Sequence, residues 1–319
     1  MTLALRLGRG ETPGWIYSPA TPGFFFTGGY CCKLATATFT VMGGVRQGAI
    51  PIANAEQFFE ETWSVLTPVP SPTRSQAAGA TYRGAGLHIG GTFPSPPYFS
   101  SQVDRLWQGT WNVETNLPAP RYAHAAASVG DAVYVVGGRD EQQQTVDSLF
   151  EYRDGTWTTK TPQPGGGRAF GNAVRFGGGF VSVGGIINEG TISSESREYS
   201  VVTNSWAQQA HHVHSARFSA AGFSIEGLTF VVGGNAGFGQ LLQETLVLEH
   251  NTWRSGPQLP TIARHKCAGM ASEAAGLVCG GVSASHVPIA NNESLTNWTW
   301  TIRTQMLAPP RSEHVGAFQ

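Results

Sequence analysis

The sequence predicts an all-β chain wound into a β-propeller, and three recurrences predict it. Glycine pairs that follow a short apolar run begin at Gly43, Gly90, Gly137, Gly184, Gly233 and Gly280, at steps of 47, 47, 47, 49 and 47 residues. Tryptophans keep the same beat at Trp15, Trp63, Trp111, Trp157, Trp206, Trp253 and Trp300, and so do arginines at Arg74, Arg121, Arg168, Arg217, Arg264 and Arg311. Three residue types in one phase mark a structural repeat.

Within one unit the elements follow in order. Ala125–Val129, Ala132–Val136, Ser148–Tyr152 and Thr156–Thr159 read as four short strands, with no amphipathic run of helical length between them. Four strands repeated about every 45 residues are the signature of a propeller blade. The second strand stops on Gly137-Gly138, where the chain needs positive φ or a close backbone approach. Trp157 falls on the fourth strand, placed to pack between neighbouring blades. Burying one such ring is worth on the order of 2–3 kcal/mol.

Paired glycines after an apolar strand, a later tryptophan and an arginine shortly before the next first strand resemble the kelch repeat, over essentially the whole chain. The resemblance implies a propeller; for function it implies a binding module, a scaffold or, in a few cases, an enzyme. Six complete blades are expected between a first strand near Phe24–Cys32 and the fourth strand at Trp300. The N-terminal piece (Leu3–Leu7, Gly8-Arg9-Gly10, Trp15) looks like an inner strand and a fourth strand, and the C-terminal piece from Pro310 to Phe318 looks like a first strand. Joining the two predicts a seventh, closing blade built from both ends, which removes exposed strand edges. Seven blades are therefore favoured, with six the alternative, in a single propeller domain over residues 1–319.

Composition narrows the function classes. Charged residues make up 13% of the chain and the net charge is −1, which argues against a general nucleic-acid or membrane-surface binder. No run of 18 apolar residues suggests a transmembrane helix, and the apolar start is too short for a signal peptide, so a cytoplasmic or particle-assembled protein is expected. Cys31, Cys32, Cys267 and Cys279 read as reduced core residues, since adjacent cysteines on a strand point to opposite faces and no paired CxxC is present. The sequons at Asn292 and Asn297 carry no weight without secretion.

The arginine series is the chief chemical feature. Arg74, Arg121, Arg168, Arg217, Arg264 and Arg311 stand where the chain enters a first strand, and first strands line a propeller's channel; Thr27 holds the corresponding place in the first unit, and Arg139 follows its glycine pair toward the same rim. Two readings stay open. In the first the ring is structural, each arginine pairing with the acidic residue near its third strand: Glu56, Asp104, Asp147, Glu195, Glu244 or Glu293. In the second the ring binds a ligand. Kelch domains that capture acidic peptides clamp carboxylates with arginines at these places, so the resemblance implies such a role for Arg121, Arg139 and Arg168, although Tyr122 and Phe170 replace the serines of a polar pocket. The expected ligand-binding set is Arg74, Arg121, Arg139, Arg168, Arg217, Arg264 and Arg311, with Phe93 and Tyr98 from an aromatic, proline-rich loop.

The expected function is non-catalytic binding of a protein or glycan through the channel mouth and loop face, including as a component of a larger assembly such as a virion. No cofactor or metal is expected: His211 and His212 diverge on an extended backbone, and His124, His265 and His314 stand beside ring arginines. The alternative is a sugar-active enzyme. The resemblance extends to sialic-acid epimerases and copper radical oxidases, for which Glu189, His124, His314 and Glu313, or Tyr30, Cys31 and Cys32, offer the residue types.

Overall fold

The computed structural model describes residues 38–47, 50–187, 190–208, 216–307 and 309–318. These form six four-stranded antiparallel sheets and no α-helix. From the inner strand outward, blade 2 is Ala78–Tyr82, Ala85–Ile89, Val103–Trp107 and Thr110–Val113, and blade 3 is Ala125–Val129, Ala132–Val136, Leu149–Arg153 and Thr156–Lys160. Blade 4 is Asn172–Phe176, Gly179–Val183, Ser196–Ser200 and Ser205–Gln208. Blade 5 is Ala221–Ile225, Leu228–Val232, Thr245–Glu249 and Thr252–Ser255, and blade 6 is Ala268–Ala271, Gly276–Cys279, Asn292–Thr296 and Thr299–Arg303.

Blade 1 draws on both ends of this ring. Its second, third and outer strands are Phe39–Met42, Ala55–Phe59 and Thr62–Leu66, but its inner strand is Val315–Phe318. The two ends pair antiparallel from Phe39↔Phe318 to Met42↔Val315. The expected closing blade, which joined the C-terminal piece to Leu3–Leu7 and Trp15, is corrected: the C-terminal strand pairs with Phe39–Met42 instead, and the favoured count of seven blades becomes six. The C-terminal strand takes the inner place of blade 1, satisfying the edge that a separate first strand would otherwise fill. The expected first strand at Phe24–Cys32 and the pieces at Leu3–Leu7 and Trp15 lie outside the described residues.

The core lies between blades, not within them. Six clusters of buried side chains each join two neighbouring blades, for example Phe223, Phe230 and Val232 of blade 5 with Val278, Leu295 and Trp300 of blade 6. The cluster that closes the ring sets Phe39, Val41, Phe58 and Trp63 of blade 1 against Met270, Leu277 and Cys279 of blade 6. The tryptophan column also supplies hydrogen bonds. Each indole N–H reaches the preceding blade: Trp111 donates to the Thr67 carbonyl (2.8 Å), Trp157 to Thr115 (2.8 Å), Trp206 to Thr161 (2.9 Å) and Trp300 to Pro257 (2.9 Å). Trp253 uses the Ser196 hydroxyl (2.9 Å), and Trp63 donates across the seam to the Thr304 carbonyl (2.9 Å). Each such bond adds about 1 kcal/mol to the ring's burial.

The glycine pairs are required by space as well as by conformation. Gly137 has φ +66°, and a Cβ built on it would lie 2.3 Å from the Arg168 carbonyl oxygen of the next blade. No side chain fits there. Cys267 and Cys279 are buried and unbridged, and Cys31 and Cys32 lie outside the described residues. Among the described residues, no helix is long and apolar enough to cross a membrane.

Candidate functional site at the arginine end

Five arginines of the series join two blades through the main chain. The backbone carbonyl of each accepts from the second glycine of the preceding blade: Gly91 N–H to Arg121 (2.8 Å), Gly138 to Arg168 (2.7 Å), Gly185 to Arg217 (2.8 Å), Gly234 to Arg264 (2.8 Å) and Gly281 to Arg311 (3.0 Å). The guanidinium turns into its own blade, where Arg121, Arg168 and Arg217 donate to the carbonyls of Gly137, Gly184 and Gly233 at 3.0–3.1 Å. The strand entry is thus clamped from both sides.

The acidic column completes the clamp. Arg74 pairs with Asp104 at 2.5 Å and contacts His88 Nδ1 at 2.7 Å, and Arg168 meets Glu195 at 3.3 Å. Arg217 pairs with Glu244, Arg264 with Glu293 and Arg311 with Glu56. Arg121 is the exception: it donates to the Ser148 hydroxyl at 2.8 Å, not to Asp147, and lies 4.7 Å over the Phe150 ring. All six arginines are at most 4% exposed. Burial draws their pKa values down, that of Arg121 to about 10 against the pull of Asp140 and Asp147. None of them lines the mouth cavity.

What lines the mouth is the residue two places after each arginine. Gln76, Ala123, Phe170, Ser219, Lys266 and Glu313 all adopt left-handed backbone, with φ between 52° and 58°. Their amides form a head-to-tail chain around the axis: Ala123 N–H to Gln76 O (2.9 Å), Phe170 to Ala123 (2.8 Å), Ser219 to Phe170 (2.8 Å), Lys266 to Ser219 (2.7 Å) and Glu313 to Lys266 (3.0 Å). These bonds satisfy backbone groups that would otherwise face the lumen. Recognition at the mouth is left to side chains.

Those side chains are unevenly distributed. On one side Phe99 stacks on Tyr122 (centroids 5.4 Å apart), and Phe170, Phe218 and His265 follow edge-to-face at 6.4 Å each. On the other, Lys266 Nζ and Glu313 Oε1 pair at 2.5 Å. Beneath them is a cavity of about 110 Å³, and below that one of about 150 Å³ lined by the inner strands. The lumen is narrow because those strands nearly touch: a Cβ on Gly79 would lie 2.7 Å from the Gly316 carbonyl oxygen.

The histidines near the cavity are neutral. Burial, reinforced by Arg121 and Arg311 respectively, lowers His124 and His314 to about 3, and burial with Lys266 lowers His265 to about 4. Among the described residues, no three His, Cys, Asp or Glu side chains converge as a metal site would require. His211, His212, His214, Glu189, Thr27 and Tyr30 lie outside the described residues.

The remaining expected residues stand on loops between second and third strands, at the same end. Arg139 is half-buried and donates to the Gln143 carbonyl at 2.9 Å. Phe93 is half-buried, while Tyr98 is 51% exposed. Phe238, exposed on the blade 5 loop, belongs to the Asn235–Gly239 stretch that the sequence marks, like the Thr92–Phe99 stretch, as a contact surface, whereas Ile50 and Val287 on the corresponding loops of blades 1 and 6 were not singled out from the sequence, and neither were Phe218 and Lys266. Reading the two columns after the arginines, as was done for the arginines themselves, would have revealed the latter pair.

Comparison with known proteins agrees with this architecture. A family model described as the kelch motif matches residues 120–162, the unit of blade 3. Kelch-like protein 41a of Danio rerio is 26% identical over 183 residues, covering 54% of this chain and 29% of that protein, so the match spans less than a third of its length. The solved structure of YjhT superposes with a TM-score of 0.69 over 84% of this chain and 98% of that chain, at 13% identity, a likeness of fold alone.

Proposed function

Because one unit matches the kelch motif and the others repeat its landmarks, we propose that the chain is a non-catalytic module whose arginine-end loop face binds a protein partner. The single observation that carries this is the contrast at that end between buried charge and exposed apolar surface. The six guanidinium groups are held inside the blades, while Tyr98, Phe238, Ile50 and Val287 stay exposed around an aromatic mouth. Exposed aromatics on a rigid scaffold are the usual anchors of protein interfaces. In this arrangement Arg74, Arg121, Arg168, Arg217, Arg264 and Arg311 act at one remove, by fixing the loops. Tyr98, Phe93 and Arg139 touch the partner directly, as do Phe170 and Lys266. A glycan could use the same rings by stacking, and the same face would serve within a larger assembly.

The test is retention of partner protein on the immobilised full chain, with Tyr98→Ala and Phe238→Ala in combination against Thr159→Ala on the opposite outer rim. Proteins held by the parent and by Thr159→Ala but lost by the double variant are the expected result. Equal retention by all three would refute the loop face as the contact. The second reading, a sugar-active enzyme, draws on the Lys266–Glu313 pair beside the mouth cavity. Turnover of sialic acids or simple sugars that is lost in Glu313→Gln would favour it over the binder.

A further inference from the structure

Five junctions of the ring are locked at the arginine end by two main-chain bonds each. Between blades 2 and 3, for example, Gly91 N–H donates to the Arg121 carbonyl and Ala123 N–H to the Gln76 carbonyl. Between blades 1 and 2 the corresponding donors are Gly44 and Gln76 and the corresponding acceptors Arg74 and Glu313. Among the described residues, neither of these two bonds forms. The spacing agrees. A Cβ built on the first glycine of blades 2 to 6 lies 2.3–2.7 Å from the arginine carbonyl oxygen of the next blade, but one built on Gly43 lies 3.8 Å from that of Arg74. The packing differs as well. The buried cluster at this junction (Met42, Ala55, Val69, Leu106, Val315 and Ala317) holds no aromatic ring, whereas each of the other five holds at least one.

One residue accounts for the difference. Two places before the first glycine stand Val41, Val135, Ser182, Val231 and Val278, but blade 2 has His88. Its buried imidazole spans the junction: Arg74 Nη2 donates to Nδ1 at 2.7 Å, and Nε2 lies 3.3 Å from the Cβ position of Gly43 in blade 1. A close-packed interface cannot take in a ring longer than valine without moving apart. Elsewhere the same two blades stay together. Trp111 N–H reaches the Thr67 carbonyl at 2.8 Å, Thr67 Oγ1 reaches the Gly109 carbonyl at 2.7 Å, and the inner strands nearly touch at Gly79 and Gly316. The separation is confined to the loop face.

We infer that His88 is a wedge that leaves the ring unlocked between blades 1 and 2 on that face. The loops carrying Ile50 and Tyr98 can then move apart and together, while neighbouring loops elsewhere are tied by their main chains. The use of this opening rests on the loop face being the contact surface proposed above, which could adjust its width to a partner there. The opening itself is independent of that reading.

Amide hydrogen exchange of the full chain without a partner, read residue by residue by NMR, therefore tests it apart from the retention experiment. Protection of Gly44 and Gln76 should be at least about tenfold lower than that of Gly91, Gly138, Ala123 and Phe170, their counterparts at locked junctions. His88→Val should raise Gly44 and Gln76 to the protection of those counterparts. Val231→His carries the wedge to the junction of blades 4 and 5 and should lower the protection of Gly185 and Ser219. It also reads the wedge independently should His88→Val fail to fold. Equal protection of Gly44, Gln76 and their counterparts in the parent overturns the inference, and so does a folded His88→Val chain in which those two amides still exchange fast.

Discussion

Replacing Arg311 by methionine tests the ring where its two ends meet. Arg311 and Glu56 are 255 residues apart in sequence and both fully buried, and the guanidinium also donates to the Asn54 carbonyl at 2.9 Å. Arg311→Met keeps most of the side-chain volume but leaves the Glu56 carboxylate buried without its guanidinium. Breaking a buried pair from one side costs about 3–5 kcal/mol, a large part of an ordinary domain's stability. Arg83–Asp154 is the internal control: its 2.6 Å bond is shorter than many, but its side chains are 47% and 66% exposed. Solvent screening leaves that pair with little weight, so removing it costs far less. Guanidinium denaturation followed by tryptophan emission measures both, since Trp63 packs in the cluster that closes the ring and bonds across it. Arg311→Met combined with Glu56→Met recovers much of the loss, because neither charge then stays buried. The reasoning fails if Arg311→Met costs no more than Arg83→Ala, or if the double variant loses the full sum of its single ones.

Two further perturbations follow from the site and the glycines. His124 and His314 are held near pKa 3, below the ordinary 6.5, so folding disfavours their protonated forms. Their contribution is complete above pH 6.5 and is lost as pH falls toward 3, at about 2 kcal/mol each by pH 5. Combined His124→Gln and His314→Gln should flatten the stability profile between pH 7 and pH 5, and an unchanged acid slope would exclude these residues as its source. Gly137→Ala places a methyl 2.3 Å from the Arg168 oxygen and should cost several kcal/mol, whereas Gly155→Ala, at φ +78° with nothing within 4 Å, costs only about 1 kcal/mol of backbone strain. Equal melting temperatures for the two variants would show that the inter-blade contact at Gly137 carries no weight.

Much of the fold was legible because its landmarks are local. A glycine pair, a tryptophan and an arginine in fixed phase located every blade from 2 to 6, and five of the six acidic partners stand where the spacing put them. Arg121 departs because Ser148 and the Phe150 ring satisfy its guanidinium where Asp147 was expected to do so. Blade count was not legible in the same way. Whether Val315–Phe318 starts a new blade or fills an existing one depends on pairing with Phe39–Met42, a contact between distant segments that no local pattern encodes. The mouth was hidden for a related reason. Ala123, Phe170 and Lys266 carry no intrinsic preference for positive φ, and the inter-blade amide chain imposes it on them. The arginines were visible from their spacing alone, but their burial was not, since a periodic guanidinium reads the same facing a lumen or a carbonyl.

The pairing of Phe39–Met42 with Val315–Phe318 also sets an order of events during synthesis. Blades 2 to 6 are each encoded by a contiguous stretch and can form hairpin by hairpin as the ribosome delivers them. Blade 1 cannot: three of its strands emerge early and must wait, one edge open, until residue 318 has left the exit tunnel. For that interval the nascent polypeptide carries an apolar strand with one open edge, and a chaperone that shields Phe39–Met42 would act there before any other part of the ring.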